Sequence, residues 1–202
     1  MTMTCIQKLP LPQINLDFPL MKALQMRRTR RKWNGAPLSD QHLSNLLWAA
    51  CGVTQNATKR SKSKRTAPSA SNSQAVKIYV AKPDGLYLYD ETNHQLIQYG
   101  TKDIRNHIGT QKMMHSAPVG LIYVSDFSKL KSYLAKNEQR KWIVSASDTG
   151  FISQNVYLYC AAANLNTAVL GLVNREKLHA VMELKEQEHV IYTQVLGNAR
   201  DL

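Results

Sequence analysis

Apolar and polar side chains alternate along this chain in two different rhythms, and together they predict a mixture of helices and strands. Between Ser39 and Gly52, Leu43, Leu46, Leu47 and Ala50 recur at i, i+3, i+4 and i+7. That spacing is an amphipathic helix with one buried stripe. Ser39 suits its N-cap, because a hydroxyl there can accept a free first-turn N–H, and Gly52 suits C′. Upstream, Leu20 and Leu24 lie one turn apart, with Asp17 as a cap and Pro19 near the first turn, so a short helix is expected to run into the residues at 27. From Ala75 the period changes to two. Val76, Ile78 and Val80 alternate with Ala75, Lys77, Tyr79 and Ala81, as in a half-buried strand. Pro83-Asp84-Gly85 is turn chemistry and Leu86–Tyr89 returns, which predicts a hairpin over 75–90, with Leu96-Ile97 adding a short third strand.

Further along, 102–115 reads as a helix with a weak apolar stripe. Val119–Val124 is a continuous apolar run, as expected of a central strand. Residues 126–145 read as helical but polar. Over 148–166, Ile152, Val156, Tyr159 or Cys160, and Ala163 share one face, with Phe151, Asn155 and Leu158 beside it. A helix so apolar belongs in the centre, and Asp148 is its expected N-cap. His189–Leu196 reads as a last strand that Gly197 ends. Helices and strands mix without a strict strand-helix-strand rhythm, so the expected class is α+β with a mostly antiparallel or mixed sheet flanked by helices.

Composition narrows the class. The 202 residues fit one domain, 1–202, with 1–17 as an N-terminal extension or arm and 54–66 as a basic loop. Apolar residues make up 44% and charged residues 20%, which excludes collagen-like and wholly disordered chains. No apolar run reaches the roughly 18 residues of a membrane span, so no membrane partner is expected. The first twenty residues lack a basic start followed by a long apolar stretch, so no secretory leader is expected and the cytoplasm is favoured. Cys5, Cys51 and Cys160 are three, widely spaced, with no CxxC, and read as reduced thiols in or near the core.

The charge is uneven. The net is +12, and two windows carry most of it: Arg27, Arg28, Arg30, Arg31 and Lys32, then Lys59, Arg60, Lys62, Lys64 and Arg65. Neither contains an acid, and the remainder of the chain is close to neutral. A nucleic-acid interface would need a continuous basic stripe with stacking aromatics, and only Trp33 adjoins the first window. Nucleic acid is therefore the disfavoured partner. A phosphate site needs a few arginines and a hydroxyl on folded backbone, and 27–32 with Thr29 supplies them. The second window reads as a solvated, mobile loop.

Chemical motifs are few. Asp148-Thr149-Gly150 matches the aspartic-protease tripeptide, but it is single and opens a helix. There is no GxSxG, P-loop or GxGxxG. The histidines are scattered, His107 and His115 lie without acids at ligand spacing, and no metal is expected. Pro68-Ser69-Ala70-Ser71-Asn72-Ser73-Gln74 is rich in small residues and amides, so backbone can approach a planar polar ligand closely.

Taken in order, three segments resemble the FMN-dependent nitroreductase family. Arg27-Arg28-Thr29-Arg30-Arg31-Lys32-Trp33 is similar to its opening R-R-S-x-R-x-F signature. Pro68–Gln74 resembles its P-S-x-x-N-x-Q loop. Asp148-Thr149-Gly150 with Gln154-Asn155-Val156-Tyr157-Leu158, then Ala162–Gly171, resembles its D-x-G-x-x-x-Q-N-x-x-L helix and the turn after it. Gly85–Asp90 with Asn93-His94 is further similar to the branch of azoline-oxidising dehydrogenases that act on modified peptides.

The resemblance covers about residues 18–198. It implies an α+β homodimer with swapped arms and two FMN sites at the interface. Arg27 and Thr29 would hold the FMN phosphate, with Arg28 contributing backbone or charge. Arg31 would sit near N1 and O2 of the ring, where a cation should raise the redox potential. Pro68, Ser69, Ala70 and Asn72 would reach the flavin of the partner subunit, and Leu170 and Gly171 would pass their backbone by N5. NADH or NADPH would donate a hydride, and an electron-poor small molecule such as a nitroaromatic or quinone would accept it. A peptide azoline substrate is the alternative. The flavin carries the redox chemistry, so no catalytic side chain is named. Two positions depart from the family pattern: Leu170 stands where many members have an acid, and Arg200 alone is left to supply the cation after the last strand.

Overall fold

The computed structural model describes residues 5–14, 17–111 and 116–200. Its strands are β1 (Ile6–Lys8), β2 (Val53–Gln55), β3 (Lys64–Arg65), β4 (Val76–Lys82), β5 (Gly85–Asp90), β6 (Gln95–Gly100), β7 (Val119–Asp126), β8 (Leu165–Leu170) and β9 (Glu188–Asn198). Its helices are α1 (Leu20–Met26), α2 (Asp40–Cys51), α3 (Glu138–Ala162) and α4 (Arg175–Val181). Seven strands form one sheet in the order β1-β6-β5-β4-β7-β9-β8, and every pairing in it is antiparallel. The expected α+β class with an antiparallel sheet is what the chain builds.

The sheet is covered on both faces. Val76, Ile78, Val80, Leu121 and Tyr123 point to one core with Leu43, Leu46 and Leu47 of α2 and Ile152, Val156 and Cys160 of α3. Tyr79, Ala81, Ile122 and Val124 point to the other, with Ile108, Leu178 and Met182. The period-two alternation of strand side chains sorts them. It also corrects the expectation for β4: the strand is buried on both sides, not half-buried, because Tyr79 and Ala81 meet a second apolar layer. All eight residues of β7 are buried, which explains the unbroken apolar run.

Helix ends follow capping chemistry, with corrections. Ser39 caps α2 as expected, accepting the His42 N–H at 3.2 Å. Gly52 is the C-cap rather than C′, in extended backbone, and a Cβ there would meet the Trp48 ring at 2.3 Å. Asp17 does not cap α1. Pro19 is the N-cap and offers its carbonyl to Lys22 and Ala23. Asp148 is not an N-cap either: α3 starts at Glu138, where Asn137 accepts the Arg140 N–H at 2.8 Å. The polar stretch Glu138-Gln-Arg-Lys141 is made of good helix formers and carries no apolar stripe, so periodicity gives no sign of it.

Elsewhere the chain is less helical than its pattern suggests. Described residues of 102–115 hold only a 3₁₀ turn at Arg105–His107, and 112–115 lie outside the described residues. Of 126–145, the part before Glu138 holds β7's last residue and a 3₁₀ turn at Phe127–Lys129. Ala162–Gly171 is not merely a turn. Asn164 takes left-handed backbone (φ 53°), and β8 then runs back along β9 as the edge of the sheet. β9 continues through Gly197 to Asn198, and a Cβ on Gly197 would meet Pro118 and Trp33 at 2.5 Å. The 54–66 segment is not slack: β2 and β3 make it a two-stranded ribbon. Cys51 and Cys160 are buried, whereas Cys5 is exposed. Part of the 1–17 arm, residues 1–4 and 15–16, lies outside the described residues. The rest adds β1 to β6 and lays Leu9 into the α2 side of the core.

Candidate active site

The first basic window leaves α1 and lies along the sheet edge. The Arg30 N–H donates to the Thr167 carbonyl (3.1 Å), Asn166 Nδ2 to the Lys32 carbonyl (2.7 Å), and Trp33 Nε1 to the Asn166 carbonyl (3.2 Å). Bonds from β8 to the main-chain atoms of Arg30 and Lys32 therefore fix the segment without using the side chains of those two residues. No acid pairs with Arg27, Arg28, Arg30, Arg31 or Lys32 among the described residues. The Arg27 guanidinium lies 5.5 Å from the centre of the Tyr157 ring. Arg28 turns back on the carbonyls of Gln25 and Arg27 at 2.9 and 2.8 Å. Thr29 Oγ1 lies 3.0 Å from the Tyr157 hydroxyl, which also accepts the Val169 N–H at 3.0 Å. Tyr157 thus ties the basic segment to the outer edge of β8.

Two open cavities flank this segment. One, of about 230 Å³, is lined by Gln25, Arg28, Arg30, Tyr157 and Cys160 among others. The other, of about 150 Å³, is lined by Arg31, Thr110, Gln111 and Val169–Leu172. A Cβ built on Gly171 meets nothing within 4 Å, so no atom of this chain demands glycine there. Leu170 faces the core instead, buried with Leu178 and Met182. Ala199 bridges Trp33, and the exposed Arg200 follows it, so the chain end returns beside the basic segment.

The Pro68–Gln74 loop lies elsewhere, on α3. Asp148 accepts the Ala70 N–H at 3.0 and 3.2 Å through its two oxygens. Burial pushes the Asp148 carboxyl above its usual range, and the Ala70 N–H opposes that in part. Ser71, Asn72 and Gln74 all sit at positive φ, 52°, 50° and 54°. Three such non-glycine residues together mark a strained segment held by its surroundings. The holders are explicit. Ser71 bonds Tyr133, Ser69 Oγ accepts the Gln74 N–H at 3.1 Å, and Gln74 Nε2 donates to Asn72 Oδ1 at 3.0 Å. Asn72 Nδ2 donates to the Ser63 carbonyl at 3.1 Å, so the amide expected at a flavin has partners in its own chain, with one N–H left over among the described residues. Pro68 is exposed, and Ser69 and Ala70 are partly so.

The two groups of residues do not meet in one chain. Asp148 and Tyr157 anchor them from α3 at positions nine residues apart, roughly 13 Å along the axis and half a turn apart at 100° per residue. One face of the helix carries the loop and the other the basic segment.

Comparison with known proteins decides the family. The family model described as the nitroreductase family matches residues 24–198. The chain belongs to the nitroreductase family. It is 34% identical to a Ralstonia eutropha JMP134 protein of known structure described as a nitroreductase, with a TM-score of 0.87 over 98% of this chain and 90% of that one. A Methanocaldococcus jannaschii protein described in the same way is 25% identical over 89% of this chain and 91% of its own. More distantly, the fold matches the Escherichia coli microcin synthetase complex McbBCD, solved with truncated pro-MccB17 (15% identity, TM-score 0.70, 96% of this chain and 79% of that one). It also matches the NADPH:FMN oxidoreductase of Vibrio harveyi, solved with NAD⁺ (18%, 0.64, 90% and 69%).

Within this nitroreductase-family fold, four contributors have no individual role assigned from the sequence. Tyr157 and Arg30 belong to the basic segment's surroundings, Thr110 and Gln111 to the Gly171 cavity. Arg30 left a signal as a member of the acid-free window, and Tyr157 left one because a tyrosine two residues past the Gln154-Asn155 pair lies one helical turn from Cys160 on the packed face. The cysteines stay structural: burial raises the Cys51 thiol to about 12, and Cys160 likewise rises, so both are neutral and inert.

Proposed function

We propose that this nitroreductase-family oxidoreductase is an FMN enzyme that accepts a hydride from NADH or NADPH and delivers it to an electron-poor acceptor such as a nitroaromatic or quinone. The observation that carries the reading is the 27–32 segment, acid-free and pinned through the main-chain atoms of Arg30 and Lys32 to β8, beside the open face of Gly171. The residues fit FMN. Arginines and a threonine hydroxyl are what a phosphate dianion takes, and the open space at Gly171 suits a flat ring against backbone. FMN, when bound, supplies the hydride chemistry.

Arg27 and Thr29 hold the phosphate, with Arg28 and Arg200 adding positive charge. Arg31, lining the Gly171 cavity, places a cation where electron density would grow on the ring. Leu170 supplies no negative charge there, which favours the reduced state further. Pro68, Ser69, Ala70 and Asn72 serve the site of a second copy. That assignment accounts for two half-sites on opposite faces of α3. It also gives a partner to apolar side chains that this chain leaves exposed on α1, Leu20 (62%), Met21 (75%) and Leu24 (42%), and on α3, Phe151 (49%). The protein then works as a homodimer. Among the described residues no helix is long and apolar enough to cross a membrane, and the cytoplasm is the proposed compartment.

The test is the visible spectrum of the purified protein after FMN is added and excess removed, recorded under argon before and after NADPH and NADH. Bound-flavin bands that bleach support the reading, and no bands overturn it. Bands that persist with both donors but bleach with an azoline peptide would move the protein to the heterocycle-oxidising branch. Light scattering adds a second check: a monomer that still holds FMN would contradict the shared site.

A further inference from the structure

The second basic window is absorbed by nothing above. Lys59, Arg60, Lys62 and Lys64 fall within six residues, and none forms an ion pair among the described residues. Arg65 alone is neutralised, by Glu91. Lys59, Arg60 and Lys64 are exposed. Four like charges so close repel one another, and an ordinary solvated run would be slack.

This one is ordered. The tip is a turn in which Thr58 Oγ1 accepts the N–H groups of Arg60 and Ser61, both at 3.2 Å, and the Thr58 N–H donates to the Ser61 carbonyl at 2.9 Å. The ribbon is also fastened to the Pro68–Gln74 loop. The Ser63 carbonyl accepts Gln74 Nε2 at 2.7 Å and Asn72 Nδ2 at 3.1 Å, and Lys62 Nζ donates to the Ser73 carbonyl at 3.2 Å. Asn72 and Gln74, which help to hold the strained loop, thus also hold the ribbon, and its cations ride on the loop assigned to the flavin.

We infer that the ribbon recognises the electron donor, and that Lys59, Arg60 and Lys64 take the extra phosphate by which NADPH differs from NADH. A phosphomonoester dianion suits several cations clustered on short backbone. A polyanion suits them less. No aromatic lies in 53–66 to stack on bases, and the charge outside the two windows is nearly balanced, so no basic stripe continues from the ribbon. The inference rests on the flavin reading above, because it needs the 68–74 loop at the site of hydride transfer.

The test uses the FMN-loaded protein and a triple variant, Lys59→Gln, Arg60→Gln, Lys64→Gln. Lys62 stays, since it tethers Ser73, and the three exchanged side chains are exposed, so folding and FMN content serve as controls. The first readout is calorimetric binding of 2′,5′-ADP against 5′-AMP. The second is kcat/KM for NADPH against NADH. The unchanged protein should prefer 2′,5′-ADP by about tenfold or more, and the triple variant should lose that preference. NADPH efficiency should fall by a similar factor while NADH efficiency holds. Equal binding of the two nucleotides by the unchanged protein, or a preference that survives in the variant, overturns the inference. So does tight binding of single-stranded RNA that falls steeply with salt and vanishes in the variant, since it would assign the ribbon to polyanions. Failure of the flavin reading looks different: no FMN is taken up, whatever the nucleotides do.

Discussion

Thr29 and Tyr157, 128 residues apart in the chain, meet hydroxyl to hydroxyl at 3.0 Å. The same phenol oxygen accepts the Val169 N–H at 3.0 Å. One side chain on α3 therefore sets both the hydroxyl proposed for the phosphate and the strand that leads into Leu170 and Gly171. Tyr157→Phe keeps the ring under Arg27 and removes only the oxygen. A net hydrogen bond contributes about 0.5–1.5 kcal/mol, so thermal or urea unfolding should show a loss of about 1–2 kcal/mol. FMN affinity by fluorescence titration should also weaken, by roughly three- to tenfold. A loss of stability with unchanged affinity would reduce Tyr157 to a clip on β8.

Arg27 tests the phosphate assignment directly. Its guanidinium rests against the Tyr157 ring and has no acidic partner among the described residues. A charge-assisted contact contributes about 1.5–3 kcal/mol, so Arg27→Ala should raise the FMN Kd by about ten- to 150-fold. Arg27→Lys should recover only part of that, because an ammonium lacks the planar fork. Equal affinity in the alanine variant would place the phosphate elsewhere.

How much of this was legible in the sequence depends on where the signal sits. α2, β4, β5, β7 and β9 are short-range patterns of burial, and each was readable from periodicity and caps. β8 was not, because Leu165-Asn-Thr-Ala-Val-Leu170 follows α3 with only Ala163 and Asn164 between them, and its strand character comes from pairing with β9. The first half of α3 was read as helical within 126–145, but its start at Glu138 and its continuation into the apolar half were not, since a polar helix face carries no apolar period. The basic segment and the 68–74 loop were legible as motifs. Their separation onto opposite faces of α3 was not, because it depends on a helix that begins at Glu138 and not at Asp148. The ribbon at 53–65 read as slack because its order comes from Asn72 and Gln74, side chains of another segment.

Asp148 gives a prediction with a sign. It is buried, its carboxyl is raised above the usual value by desolvation, and it holds the Ala70 N–H. A raised folded pKa means that the folded state prefers the protonated form. That contribution is complete below the unfolded value of about 3.9 and is lost as pH rises through the folded one. At pH 7 the charge is therefore a cost. Asp148→Asn keeps an oxygen for Ala70 without the charge, so it should equal or exceed the parent in stability at pH 7 and titrate less in the acid range. Asp148→Ala frees the strained loop and should lose both stability and FMN. An asparagine variant as damaged as the alanine one would show that the charge itself is required.

His94 sets the pH dependence at the other end of the same core. Its Nε2 lies 2.7 Å from Ser44 Oγ, and Ser44 donates its only proton to the Pro10 carbonyl at 2.6 Å. Nε2 must therefore carry the imidazole hydrogen, and Nδ1 accepts from the Tyr89 hydroxyl at 2.8 Å. The network binds the neutral ring, and burial pushes its pKa below 6.5. With a depressed folded value, its contribution is present above pH 6.5 and is lost as pH falls through the folded value, because the unfolded chain takes up the proton first. His189, half-buried beside Phe127 and Trp142, is lowered by desolvation and acts with the same sign. The urea midpoint of the parent should thus decline below about pH 6.5. His189→Gln should remove part of that decline. His94→Gln on that background should start lower at pH 8 and run nearly flat. Hydrogen exchange should show 5–14 opening first as pH falls, since Ser44 holds Pro10. A decline that persists in the double variant would assign the titration to other groups.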